Sequence, residues 1–154
     1  GSGVMVVPFR NLNTTGEDPV ESWPYEALVT TMERGMVSDW QPILTAIREQ
    51  PFGRTARAVA GYVKSDPDDQ PAAAFFALAL KRSRHTLEEA EKEVVITRIK
   101  AALLASGLSQ SDFATRIGTS ASRFSTYVSG QVTPSASMLV RIEQVRDGPN
   151  PPSD

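Results

Sequence analysis

Apolar residues recur along this chain at three- and four-residue steps from Ser22 nearly to its end, the spacing of one face of an α-helix. Strict alternation of the strand kind is absent over any useful length, and Val4 to Val7 and Val94 to Ile96 are the only β-branched clusters. The predicted fold class is therefore all-α. Ser22 is a candidate cap and Pro24 suits a first turn; Ala27, Leu28 and Met32 form the stripe, and Gly35 is a stop. Ser38 with Gln41 has capping-box spacing ahead of Trp40, Ile43, Leu44 and Ile47, and Pro51 and Gly53 close that helix. A third runs from Arg54 to Val63 on Ala56, Val59, Ala60 and Val63, until Ser65-Asp66-Pro67-Asp68-Asp69 breaks the chain.

Pro71 opens an alanine-rich run with Phe75, Phe76, Leu78 and Leu80. Thr86 with Glu89 offers another capping box, so 71–106 is expected to be two helices meeting near Ser83 to Thr86 rather than one rod. Trp23, Trp40, Phe52, Phe75 and Phe76 are expected in an N-terminal core, with a partner surface as the alternative. The expected organisation is a flexible arm at 1–21, a helical partner or dimerisation domain at 22–85, a second domain at 86–147 and a disordered tail at 148–154. Gly1 to Gly3 have the look of a tag remnant, with Val4 or Met5 as the native start.

The last third is the most closely patterned. Ile99, Leu103 and Leu104 are the expected core face of a helix ended by Gly107, a residue suited to the left-handed position after a helix. Leu108 plugs the core. Ser109 caps a helix at 110–117 that turns Phe113, Ala114 and Ile117 inward, and Gly118 makes a sharp turn. Ser120 caps a third helix with Phe124 and Tyr127 or Val128 on the buried side, stopped by Gly130. Its outer face, Ala121, Ser122, Arg123, Ser125 and Thr126, is short and polar, which suits entry into a major groove about 12 Å wide. Thr133-Pro134-Ser135 leads into a closing helix on Met138, Leu139, Ile142 and Val145.

Composition removes most enzyme chemistry. No cysteine is present and His85 is the lone histidine, so thiolate zinc sites, disulfides and histidine pairs are excluded, and no glycine-rich phosphate loop occurs. A non-enzymatic protein without cofactor or metal is expected. Asp66, Asp68 and Asp69 lack a calcium-loop pattern and read as a turn with capping carboxylates. The net charge of −2 is unevenly placed: residues 1–93 carry 10 basic and 14 acidic side chains, residues 94–154 carry 6 and 4. Lys81, Arg82, Arg84 and His85 read as a solvated charged turn. No apolar run is long enough to span a membrane, and a cytoplasmic location without membrane contact is expected.

In Leu108-Ser109-Gln110, Phe113-Ala114, Ile117-Gly118-Thr119-Ser120, Phe124, Ser129-Gly130 and Pro134 the chain resembles the phage-repressor and Cro family of helix-turn-helix regulators, often called Xre-like. The resemblance covers roughly a third of the sequence. It implies a helix-turn-helix bundle at the C-terminus and a transcriptional regulator that binds double-stranded DNA; the residue pattern joins this bundle to the small N-terminal domain by a long helical segment. By the same resemblance Ala121, Ser122, Arg123, Ser125 and Thr126 are expected at base edges, and Ser109, Gln110, Ser120, Ser129 and Gln131 at phosphates. Many relatives carry glutamine or arginine where this chain has Ala121, so thymine-methyl contact or DNA shape is expected to weigh more here. A homodimer on two half-sites is the expected assembly. The arrangement also resembles the antitoxin of a toxin–antitoxin pair, with a cognate toxin as partner of the acidic N-terminal domain; an interaction adaptor with a vestigial reader is the third alternative.

Overall fold

The computed structural model describes residues 18–146. The expected arm at 1–21 lies outside the described residues as far as position 17, together with the tag remnant at 1–3, and so does the whole expected tail at 148–154. Seven α-helices and no strand occur among the described residues: α1 (Tyr25–Arg34), α2 (Val37–Glu49), α3 (Arg54–Lys64), α4 (Gln70–Ser106), α5 (Gln110–Ile117), α6 (Ala121–Ser129) and α7 (Ala136–Arg146). Before α1, the segment expected to be irregular holds a single 3-10 turn at Val20–Ser22. The chain forms two compact units, one ending at Leu87 and the other beginning at Glu88.

Two helix starts in the first unit differ from expectation. Ser22 does not cap α1; its hydroxyl donates to the Pro19 carbonyl at 2.7 Å, and Pro24 occupies the capping position instead. For α2 the expected Ser38–Gln41 box is replaced by a single side-chain bond two residues earlier, with Met36 at the capping position. The Met36 N–H donates to the Asp39 carboxylate at 2.8 Å, which satisfies an end group and places a negative charge in the first turn. Pro42 then falls inside α2 on its exposed side, where the carbonyl left without its N–H donor is open to solvent.

The core of the first unit gathers Leu28, Met32, Ile43, Ile47, Val59 and Phe76 with Trp23 and Tyr62. Polar tips of the large rings bridge elements: Trp40 Nε1 donates to the Thr31 carbonyl at 3.0 Å, and Tyr62 Oη donates to Glu33 at 2.9 Å. Phe52 and Phe75, expected in this core, are 49% and 41% exposed. Phe75 lays one side on Trp40 and Phe76, while Phe52 sits under the Arg84 guanidinium, 4.8 Å from ring centre to Cζ. Arg84 also donates to the Pro51 carbonyl at 2.8 Å, so this member of the basic cluster is a structural tie rather than a solvated charge. Asp69 accepts from the Ala72 N–H at 3.1 Å, capping α4.

The expected break near Ser83 to Thr86 does not occur, and 70–106 is one helix. No glycine lies within it and its one proline, Pro71, falls in the first turn, where the missing N–H costs nothing. Thr86 and Glu89 are equally comfortable on a helix surface, and a capping box without a chain break has no orphan N–H to serve.

Candidate nucleic-acid interface

The second unit packs Ile99, Ala102, Phe113, Ala114, Ile117, Phe124, Tyr127 and Ile142 into one core, with Leu108, Val128, Met138, Leu139 and Val145 at its margin. Leu104, expected on that core, is 83% exposed. Ile99, Ala102 and Leu103 already cover the inward face, and one further residue turns about 100° around the axis, carrying Leu104 out to solvent.

Serines start each of the three short helices. Ser109 Oγ accepts from the Asp112 N–H at 3.0 Å, Ser120 Oγ from the Arg123 N–H at 3.0 Å, and Ser135 Oγ from the Met138 N–H at 3.1 Å. Each such cap contributes about 1 kcal/mol. Gly118 ends α5 at φ 81°, and the N–H groups of Gly118 and Thr119 return to Thr115 and Ala114, closing the left-handed helix stop. Gly130, at φ 83°, ends α6. A methyl group there would also meet the tip of the Ile96 side chain of α4, which would have to shift, while the positive φ itself calls for glycine.

Between α5 and α6 the rings of Phe113 and Phe124 stack, with centroids 4.9 Å apart and planes inclined by 16°. That contact sets the pitch of α6 against α5. Both residues are fully buried, so the outer face of α6 is displayed from a packed support rather than from a loop.

On that face Ala121, Ser122, Arg123 and Ser125 are exposed, and Thr126 is half-buried. Arg123 lies back along the helix: its Nε donates to Tyr127 Oη at 3.3 Å and its Cζ stands 5.7 Å from the Tyr127 ring centre. The guanidinium is thus held over α6 with fewer rotamers to lose on binding. Thr126 Oγ1 donates to the Arg123 carbonyl at 2.6 Å; its hydroxyl proton is spent within the helix, which leaves a methyl group and a lone pair as its chemistry. Ser122 Oγ lies 3.3 Å from Ser120 Oγ.

The residues expected at phosphates fall at turns. Ser109 and Ser120 accept through oxygen in their caps, an arrangement that keeps their O–H protons for an anionic acceptor. Ser129 differs, because its hydroxyl donates to the Thr126 carbonyl at 3.2 Å while accepting from the Gln131 N–H at 3.3 Å. Gln110 and Gln131 are exposed. No acidic residue stands in the first turn of α6, so the positive end of its peptide dipoles is uncompensated and suits a phosphate-rich ligand. Residues 99–145 hold four basic side chains (Lys100, Arg116, Arg123, Arg141) against two acidic ones (Asp112, Glu143).

Sequence reasoning missed two supports of this site: Val132, on the margin of the core, and Ile96, against Gly130. Ile96 carried a signal, since Ile96 and Ile99 stand three apart on one helix face; Val132, in the loop after α6, carried none. Among the described residues no helix is long and apolar enough to cross a membrane, and no group of three or more metal-ligating side chains gathers.

Residues 99–145 match the family model described as helix-turn-helix, which makes this segment a helix-turn-helix domain of the Xre/Cro type and implies DNA as its partner. Comparison with curated proteins gives no match, and comparison with solved structures gives none.

Proposed function

We propose that the chain is a sequence-specific transcriptional regulator, an autoregulating repressor that enters the major groove of its operator with α6 and binds as a homodimer. The observation that carries this reading is the outer face of α6, polar and free of acidic residues in its first turn, presented from a buried Phe113–Phe124 stack. In this reading Ser122, Arg123 and Ser125 address base edges, Ala121 and the Thr126 methyl meet thymine, and Ser109, Gln110, Ser120 and Gln131 fix register on phosphates.

Mobility shift on DNA from the gene's own upstream region tests it. Arg123→Ala is expected to weaken specific binding by about 1 to 3 kcal/mol, roughly 5- to 150-fold, if Arg123 reaches a guanine. Raising salt from about 50 to 200 mM should weaken binding steeply. Wild-type protein that prefers the upstream DNA no more than random sequence would reject the proposal, and salt-insensitive binding would favour the adaptor reading.

A second reading adds neutralisation of a cognate toxin by the first unit. It draws support from Met36 and Val37, adjacent apolar side chains that are 74% and 63% exposed in that unit and offer apolar contact to a partner. Co-expression with a neighbouring reading frame tests this: relief of toxicity that Met36→Asp abolishes supports it, and an isolated gene counts against it.

A further inference from the structure

The long helix α4 has a second face that the helix-turn-helix core does not use. Ala90, Val94, Thr97, Ala101 and Leu104 follow one another at steps of four, three, four and three, and the same spacing extends back to Leu87. This is the seven-residue repeat by which two helices wrap around each other. The core side of α4 is formed by Ile99 and Ala102 with Val95 and Leu103 at the margin, and at 3.6 residues per turn the repeat falls on roughly the opposite side. Val94 is 56% and Leu104 83% exposed, and Ala90, Thr97 and Ala101 are exposed as well. All seven charged residues between positions 88 and 100 fall outside the stripe. A solvated helix face has no physical reason to exclude charge in this way.

We propose that this face pairs with the same face of a second copy of the chain, the two helices running antiparallel. Charge selects both the occupant and the direction. Glu88, Glu89, Glu91 and Glu93, with Lys92 as the one cation among them, crowd the start of the segment, whereas Arg98 and Lys100 stand in its second half. A parallel pair sets the acidic ends side by side and offers a single kind of opposite-charge contact, Glu93 with Arg98. An antiparallel pair that brings Leu87 to Leu104 of the second copy places Glu93 beside Lys100 and Glu91 beside Arg98, each contact occurring twice by symmetry. Val94 then meets Thr97 at the centre, and Ala90 meets Ala101 in layers small enough for close approach of the backbones. Arg98 is held in place by a two-pronged pair with Glu143 of α7, Nε at 2.6 Å and Nη2 at 2.7 Å, so its charge is fixed beside the stripe. The inference rests on the dimeric reading of the DNA-binding function and supplies its interface.

The test is the oligomeric state of the full chain measured without DNA by sedimentation, so that it stands apart from operator binding. A mass twice the 16.7 kDa of one chain is expected. Leu104→Glu, at a solvent-facing position, should shift the protein to monomer with helical content unchanged by circular dichroism. Lys100→Glu should raise the dissociation constant about tenfold or more through like-charge contact, and adding Glu93→Lys should restore it. Restoration is the signature of the antiparallel register, because a parallel pair sets Glu93 beside Arg98 and leaves Lys100 opposite Ala105. A wild-type chain that stays monomeric at high micromolar concentration, a dimer indifferent to Leu104→Glu, or a double swap without recovery would each overturn the proposal. A monomer that still recognises its operator would overturn this interface and leave the DNA-binding reading standing.

Discussion

The two units of this chain are both helical, yet their helices begin and end by different means. In the second unit, α5 and α6 each start at a serine whose side chain accepts from the third helical N–H, and glycines at positive φ close α4, α5 and α6. In the first unit, α1 and α3 start at Pro24 and Gly53 with no side-chain cap, α2 takes its cap from an aspartate inside the helix, and the start of α4 alone among them has a side-chain cap of the second unit's kind, from Asp69. Order in the first unit therefore comes from distant residues, such as Trp40 against Phe76 and Tyr62 against Glu33. The helix-turn-helix writes its geometry into neighbouring residues, which suits a segment that must hold one ridge at a fixed angle.

The largest effects should come from cutting each core at its centre. Phe76→Ala and Phe124→Ala remove side chains that are fully buried, and each should cost about 3 to 5 kcal/mol. Their consequences should separate: hydrogen exchange would rise in α1–α3 for the first and in α5–α7 for the second, and operator binding would fail only for Phe124→Ala. If Phe76→Ala abolished binding as completely, the contrast between locally and remotely ordered units would be wrong.

The same contrast explains how much of the molecule was readable from its residues. Ser109, Gly118, Ser120 and Gly130 each act within about three positions of themselves, so the bounds of α5 and α6 and the buried set Phe113, Ala114, Ile117 and Phe124 followed from spacing alone. Leu104 was misplaced because Leu103 and Leu104 are chemically alike, and only the angle at which α4 meets its neighbours decides between them. The continuity of α4 was missed because Thr86 and Glu89 fit a cap and a helix surface equally well, and local pattern cannot weigh the two. Size alone favours the core for Phe52 and Phe75, whereas contacts with Arg84 and Trp40, reached only through the fold, hold them at the surface. At the candidate interface the identities of the outer residues were legible; that the Thr126 and Ser129 protons are spent on helix carbonyls was not, since this depends on rotamer.

Capping serines sharpen the comparison at a smaller scale. Ser120→Ala should destabilise the second unit by about 1 kcal/mol and weaken DNA binding along with it, because the first turn of α6 loses its anchor. Ser38→Ala, at the position where spacing alone placed a cap, should change stability by less than about 0.5 kcal/mol, since the Asp39 carboxylate holds that helix start. Denaturant melts of the two variants side by side decide it. Equal losses would mean that the ends of α2 and α6 are built alike after all.

The one effect that changes with conditions belongs to the first unit. Burial, then the hydrogen bond to Glu33 and its negative charge, push the Tyr62 phenol well above its ordinary range. A folded state that holds this proton more tightly than the unfolded chain keeps its full advantage below pH about 10, where both are protonated. Above that, the unfolded chain ionises and the folded one does not, so stability falls by about 1.4 kcal/mol for each further pH unit from this group. Tyr62→Phe should cost about 0.5 to 1.5 kcal/mol near pH 7, the worth of one hydrogen bond, because Glu33 is exposed and water replaces its partner. The variant has no phenol at this position to ionise, so its stability should decline less steeply in alkali and its curve should cross that of the wild type near pH 11. Parallel curves up to that pH would show that Tyr62 titrates alike in both states, and the long-range tie between α3 and α1 would then contribute nothing to the order of the first unit.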